Sequence, residues 1–360
     1  MKIFYDEKIL LHRIPDGVFD SFPSPLLEKQ IEQPEGADRI INTVSVLKRG
    51  PLGDRLNWET PVSVTDDELL KFHTEEYLLR LKQADEIGEY LSASTYLAKG
   101  ALKIARLAAG TALAALKSVT SGEDLMSYAI CRPPNHHARP DMADGYCFIN
   151  GIGLAALEAI AQGYKKIAII DWDVHHGNGT QAGFYDRDDV LTISMHMDHG
   201  SWGASHPETG GVEEIGVDSG AGFNINLPLP FGSGDKCYTR VFEQCVVPRV
   251  QAFKPDLIIL ANGQDANQFD PNGRQLVTMA GYYQMARQLR NLTHEVCGGK
   301  LVMTQEGGYN PTYAPLCAYA VVAGLLDADL EIEDPIAFYP EDSTRAKADV
   351  RALLERHPLF

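Results

Sequence analysis

The sequence lacks any run of about 18 apolar residues, the length a helix needs to cross a bilayer, so no membrane-spanning segment is expected. It also lacks a Cys-x-x-Cys pair. Its six cysteines (Cys131, Cys147, Cys237, Cys245, Cys297 and Cys317) stand apart in apolar or helical stretches, which argues against a structural zinc site and a disulfide framework. Buried thiols in a reducing compartment, the cytoplasm by default, are the expectation. Positive charge is scarce as well. The 32 basic side chains face 49 acidic ones, and the net charge of −17 would repel phosphate backbones and anionic lipid, so neither nucleic acid nor a membrane surface is an expected partner. The N-terminal stretch MKIFYDEKILLHRIPDG is too short and too interrupted by charge for a secretory signal. Internal repeats and low-complexity tracts are missing.

What is present suits one large globular unit, residues 1–360, since 44% of the chain is hydrophobic. Short apolar runs rich in Ile, Val, Leu and Met alternate with longer stretches of helical periodicity, the pattern of a mainly parallel sheet with helices on both faces. The spacing predicts strands over Lys2–Tyr5, Leu125–Cys131, Lys166–Asp171, Val190–Ser194, Asp256–Ala261 and Lys300–Gln305. It predicts helices over Thr95–Val119, Gly151–Ala161, Gln275–Val296 and Tyr313–Leu326. The charged, proline-bearing tail from Asp327 to Phe360 reads as peripheral.

Polar clusters follow four of these strands at once: RPPNHHARPD, DWDVHHGNGT, GQDAN and EGGYN. Ligands in open α/β sheets bind outside the carboxyl ends of the strands, so the four clusters should meet in one pocket. In DWDVHHGNGT, Asp173 and His175 are two residues apart in extended chain and project to the same side, where both can chelate one ion. Asp265 is the best-placed third ligand. Two carboxylates and an imidazole would neutralise a divalent cation and leave a coordination position for water. Taken alone, Asp171 and Asp173 could equally cap the following helix.

His136 and His137 offer the base and acid that amide hydrolysis needs. Asp171 and Asn178 are available to fix their far nitrogens, and a carboxylate on one with an amide on the other would separate their proton affinities. His137 is then the base and acid, with His136 paired to Asp171. Tyr309, after two glycines, could bring its hydroxyl to an oxyanion, although a lone Gly-Gly-Tyr equally suits a packed aromatic.

Taken in order and spacing, RPPNHHA, GYCFIN, DWDVHHGNGT, the Asp265 loop and EGGYN resemble the signature motifs of the histone deacetylase and acetylpolyamine amidohydrolase family across about residues 120 to 310. Trp172 and Asn178 are similar to the class II and bacterial branch, the histone deacetylase-like amidohydrolases. The resemblance implies an arginase/deacetylase-like α/β fold with a single open eight-stranded sheet. It makes Asp173, His175 and Asp265 ligands of one catalytic zinc, His136 and His137 the tandem histidines, Asp171 and Asn178 their partners, and Tyr309 the oxyanion tyrosine. It further implies a structural potassium ion near Asp171, Asp173, His175, Ser194 and Met195. Gly145, Tyr146, His206 and Asn272 fall where the family lines its substrate channel.

Asn135 and Gln264 depart from the family pattern, and Asn272 stands where polyamine-selective relatives can carry a gatekeeper glutamate. Related ureohydrolases hold two manganese ions through further acidic ligands, where this chain has Gly177 and Asn267. The implied activity is removal of an acetyl or other small acyl group from an amine, acetyl-lysine foremost, with acetylpolyamines or small amides as alternatives and a non-catalytic acyl-amine binder as the remote one. The segment 12–39 would supply a lid or an oligomer contact, as its counterpart often does in bacterial members; the family includes monomers, dimers and tetramers, so a homo-oligomer (dimer or tetramer) is an expected alternative to the monomer.

Overall fold

The computed structural model describes residues 1–14, 24–29, 33–200, 209–336 and 339–360. Its strands are β1 (Lys2–Phe4), β2 (Asn57–Glu59), β3 (Glu89–Tyr90), β4 (Tyr96–Leu97), β5 (Met126–Ala129), β6 (Ile167–Asp171), β7 (Val190–Met197), β8 (Asn224–Leu229), β9 (Leu257–Asn262) and β10 (Leu301–Gln305). Its helices are α1 (Asp38–Arg49), α2 (Asp66–Leu69), α3 (Glu75–Ile87), α4 (Leu102–Thr120), α5 (Gly151–Ala161), α6 (Asn178–Phe184), α7 (Asp235–Val241), α8 (Val247–Phe253), α9 (Met279–Cys297), α10 (Tyr313–Leu325) and α11 (Ser343–Arg356).

Eight strands form one all-parallel sheet in the order β2-β1-β5-β10-β9-β6-β7-β8. Every residue of β5, β6, β9 and β10 is buried, which is why these strands read as continuous apolar runs rather than alternating ones. Helices cover both faces, α4 packing on α5 in one layer and α10 on α9 and α1 in the other. The expected arginase/deacetylase-like architecture is the one observed. All six cysteines are buried, free thiols.

Two sheet strands escape the apolar-run criterion. β2, with the sequence Asn-Trp-Glu, lies at the open edge, and its two polar residues face solvent. In β8, Asn224, Asn226 and Pro228 interrupt the apolar positions. The asparagines are nonetheless buried because both amides donate to Gln181 Oε1 at 2.8 Å, and proline is tolerated at the sheet's other edge.

The helix expected over Thr95–Val119 begins only at Leu102. Gly100 takes φ +74°, which breaks the helical path, and Tyr96 and Leu97 pair with β3 in a small hairpin instead. The helix expected from Gln275 likewise starts at Met279, because Leu276 and Val277 bridge to Gly234 and Asn267. At the far end, α11 buries Ala346, Val350 and Leu353, one stripe at helical spacing, against α7 and β8.

Residues 15–23 and 30–32 of the segment expected to form a lid or an oligomer contact lie outside the described residues. Its described ends are tied down. Arg132 donates to the carbonyls of His12 and Glu35, both at 2.8 Å, and the buried Glu35 carboxylate pairs with Arg39 at 2.8 Å and Arg132 at 3.0 Å. No helix among the described residues is long and apolar enough to cross a membrane.

Candidate metal centre and its surrounding residues

The four strands that precede the polar clusters are neighbours in the sheet, in the order β5-β10-β9-β6, so their carboxyl-end loops converge. Asp173 and His175 follow β6, and Asp265 follows β9. Among the described residues these three form the group whose ligand atoms all lie within 4.8 Å of one another, and all three are buried. Backbone amides hold both carboxylates: Val174 N donates to Asp265 Oδ1 at 2.9 Å, and Asp173 accepts from Gly307 N at Oδ2 (2.8 Å) and from His175 N at Oδ1 (3.0 Å). A Cβ on Gly307 would stand 2.1 Å from Asp265 Oδ2, so only glycine lets the EGGYN loop come this close.

The donor set has the chemistry of a divalent-cation site. His175 Nδ1 lies 3.1 Å from both Asp173 Oδ1 and Asp265 Oδ2, yet Asp265 Oδ2, fully buried, accepts no hydrogen bond among the described residues. Burial alone would depress the His175 imidazole, but the two carboxylates overcome it and hold it up at about 10. Burial and the neighbouring Asp173 push Asp265 up to about 8. Two buried carboxylates this close demand positive charge, and a divalent cation bound by both and by the neutral imidazole supplies it. One zinc ion fits these residues.

The tandem histidines stand beside this set. His136 Nδ1 lies 2.9 Å from Asp171 Oδ2 and His137 Nδ1 lies 2.7 Å from Asn178 Oδ1, the unlike pairing that the sequence predicts. Their rings are 4.0 Å apart. Burial opposes charge on His136, but Asp173 and Asp171 outweigh it and raise the imidazole to about 10. Tyr309 is buried with its ring 6.4 Å from that of His175, and burial, then Asp173 and Asp265, push its phenol well above the ordinary value. The hydroxyl therefore stays protonated, as a donor to an oxyanion must.

Of the residues assigned to a potassium ion, Asp171 and Ser194 are paired in register across β6 and β7, beside Asp173 and His175, and Met195 is buried in β7. Asp171 Oδ1 accepts from Asp173 N at 3.0 Å, and Ser194 Oγ lies 2.9 Å from His196 Nδ1. Along the expected channel, Tyr146 meets Tyr309 edge to face at 5.7 Å, and Asn272 Nδ2 reaches the Tyr146 hydroxyl at 3.5 Å. Gly145 adjoins the His137 ring. His206 lies outside the described residues.

Two buried carboxylates that the sequence left without a role organise this centre. Asp270 accepts the Tyr309 amide at 2.7 Å and those of Asn272 and Gly273 at 2.9 and 3.2 Å, so one side chain fixes both Tyr309 and the loop at Asn272. Glu306, first residue of EGGYN, accepts from Asn135 N, Asn135 Nδ2, His136 N and Thr304 Oγ1 at 2.7 to 3.1 Å. It thereby clamps the histidine loop to the tyrosine loop. The available signal was a charged residue directly after the strand Leu301–Gln305, whose first three residues are apolar. Glu306→Gln puts an N–H where only donors converge, and is expected to cost about 1–3 kcal/mol in urea unfolding, with kcat lowered and KM little changed. An unfolding midpoint equal to wild type would remove the clamp from the account.

A model described as the histone deacetylase domain matches residues 33–325 of the chain. Histone deacetylase 8 of Arabidopsis thaliana is 44% identical over 363 residues, covering 99% of this chain and 96% of that protein. A histone deacetylase-like amidohydrolase of Pseudomonas aeruginosa is 38% identical, over 94% of this chain and 89% of its own. A probable deacetylase of Archaeoglobus fulgidus is 35% identical over 87% of each. Among solved structures, that of the HDA15 HD domain superimposes with a TM-score of 0.82 at 33% identity, covering 99% of this chain and 95% of that one.

Proposed function

The chain belongs to the histone deacetylase family, and from that premise we propose that it is a zinc-dependent amidohydrolase that removes an acetyl or similarly small acyl group from an amine, acetyl-lysine above all. The observation that carries this reading is the pairing of two adjacent imidazoles with unlike partners, a carboxylate and an amide, beside a buried set of two carboxylates and an imidazole. Asp173, His175 and Asp265 would hold one zinc ion, which when bound supplies a Lewis acid for the amide carbonyl and makes water more acidic.

The chain's own groups do the rest. His137 takes the proton of the attacking water and returns it to the departing amine nitrogen. His136, whose Nδ1 faces the Asp171 carboxylate at 2.9 Å, would carry positive charge and stabilise negative charge developing beside it. The Tyr309 hydroxyl donates to the oxyanion from the opposite side. Tyr146, Gly145, Asn272 and His206 would line the channel and exclude water from the acyl-amine chain. A potassium ion near Asp171, Asp173, His175, Ser194 and Met195 would offset the carboxylates from behind. Six buried free thiols support a reducing compartment such as the cytoplasm.

Cationic amines suit a chain of net charge −17. Asn272 is neutral and engaged with Tyr146, which favours acetyl-lysine over a polyamine that carries additional ammonium groups. Hydrolysis of a fluorogenic acetyl-lysine amide should be blocked by a hydroxamate chelator and lowered on the order of 10²-fold or more by Tyr309→Phe, as for loss of one oxyanion donor. Comparing kcat/KM for acetyl-lysine peptides, acetylspermidine and small anilides tests the substrate class. A preference for the polyamine of tenfold or more would reverse it.

A further inference from the structure

Sequence patterning assigns Asp144 no role, yet it lies directly behind the residue that holds the proposed base. Asp144 is fully buried, and its Oδ2 accepts from Asn178 Nδ2 at 2.9 Å, while the other end of the same amide, Oδ1, meets His137 Nδ1 at 2.7 Å. A carboxylate offers only acceptors, so it selects the nitrogen end of the Asn178 amide. The oxygen end is then compelled to face His137. An oxygen facing Nδ1 requires that nitrogen to carry the proton, which leaves the lone pair on Nε2.

We propose that Asp144 is a positioning residue that sets the tautomer of His137 through Asn178, a carboxylate–amide–imidazole relay that keeps the base's reactive nitrogen unprotonated before catalysis. The inference rests on His137 being the base. The amide has a chemical purpose here, since it transmits the carboxylate's orientation without bringing the negative charge against the imidazole. That separates His137 from His136, which contacts Asp171 directly.

The backbone around Asp144 supports the same conclusion. Asp144 and Cys147 exchange both backbone hydrogen bonds, at 3.1 and 2.7 Å, around a two-residue turn in which Gly145 (φ +48°) and Tyr146 (φ +68°) both take left-handed conformations. Such a turn is rigid and uncommon for tyrosine. A Cβ on Gly145 would lie 2.2 Å from His137 Cδ2, so the turn's tip packs on the imidazole itself. Thr95 Oγ1 accepts from Tyr146 N at 2.9 Å and pins the turn from behind. One short segment thus supplies both the carboxylate that orients the amide and the flat contact that fixes the ring.

The test is nitrogen NMR on histidine-labelled, zinc-loaded protein, with His137 assigned by its loss in His137→Ala. Wild-type neutral His137 should show the proton on Nδ1. In Asp144→Asn the amide at 144 can donate as well as accept, so the Asn178 amide is released to turn and the Nε2–H form should appear. The same variant should lose on the order of 10- to 10²-fold in kcat, less than the ~10⁴ that a wrong tautomer costs when the partner contacts the histidine directly, with KM and zinc content unchanged. The exchanged pair Asp144→Asn with Asn178→Asp puts the carboxylate directly on His137 and should restore the Nδ1–H signal and most of the activity. An Nε2–H signal in the wild type, or an unaltered Nδ1–H signal in Asp144→Asn, would overturn the relay. The spectra read the relay without turnover, whereas full hydrolysis by His137→Ala would instead sink the role of the base and leave the tautomer result standing.

Discussion

His137→Ala should lower kcat on the order of 10³-fold while the protein still binds one zinc per chain and unfolds near the wild-type temperature. General acid–base groups typically contribute 10²- to 10⁴-fold, and His137 would serve in two proton transfers. It is separable from the metal centre. Its ring is 6.0 Å from that of His175, and its Nδ1 meets Asn178 Oδ1 at 2.7 Å. His136 is different, because its Nε2 sits 3.7 Å from Asp173 and its Nδ1 binds Asp171, so truncating it would disturb the centre's charge as well as the chemistry. The pair of alanine variants therefore separates catalysis from metal binding: His137→Ala loses rate alone, and His136→Ala loses rate with altered zinc affinity. Near-wild-type hydrolysis by His137→Ala, with zinc measured in the same sample, would place the base elsewhere.

Why these residues could be found in the sequence, and others could not, follows from how each is specified. The candidate ligands were legible because Asp171, Asp173 and His175 continue the strand parity of β6 just where its apolar run ends, and Asp265 is a carboxylate in the loop after β9. The partners Asp171 and Asn178 were legible because a polar residue beside a histidine loop must bond something. Glu306, Asp270 and Asp144 were not. Each acts through backbone amides or an amide side chain contributed by a different loop, and long-range acceptors of that sort leave no spacing to read. β8 was missed for a related reason. Its asparagines are buried by Gln181, a residue 43 and 45 positions away, so the segment's polarity signals partners rather than solvent. The displaced start of α4 is local by contrast, and Gly100 was its visible cause.

Asp265→Asn should abolish tight zinc binding, weakening it by well over the roughly 10- to 100-fold that loss of a supporting group costs a metal site, and activity should fall with it. An amide oxygen can still accept from Val174 N, so the loop is expected to keep its shape. What changes is charge. At pH 7 the metal-free wild type must either bury the Asp265 charge beside Asp173 or take up a proton that the unfolded chain does not carry, since burial and Asp173 raise this carboxyl to about 8. A carboxyl raised on folding stabilises the fold only where it is protonated and costs stability as pH rises past its unfolded value. Removing it therefore favours the folded state without metal. The metal-free variant should unfold at a higher temperature than the metal-free wild type at pH 7, and the order should reverse once zinc is added, because only the wild type gains binding energy on folding. The gap between the metal-free proteins should narrow as pH is lowered toward 4, where the unfolded chain also begins to protonate. Thermal unfolding at two pH values, with and without zinc, reads all of these. If metal-free Asp265→Asn were less stable than metal-free wild type, Asp265 would be holding the loops together by itself, and crowded carboxylates awaiting a cation would not describe this centre.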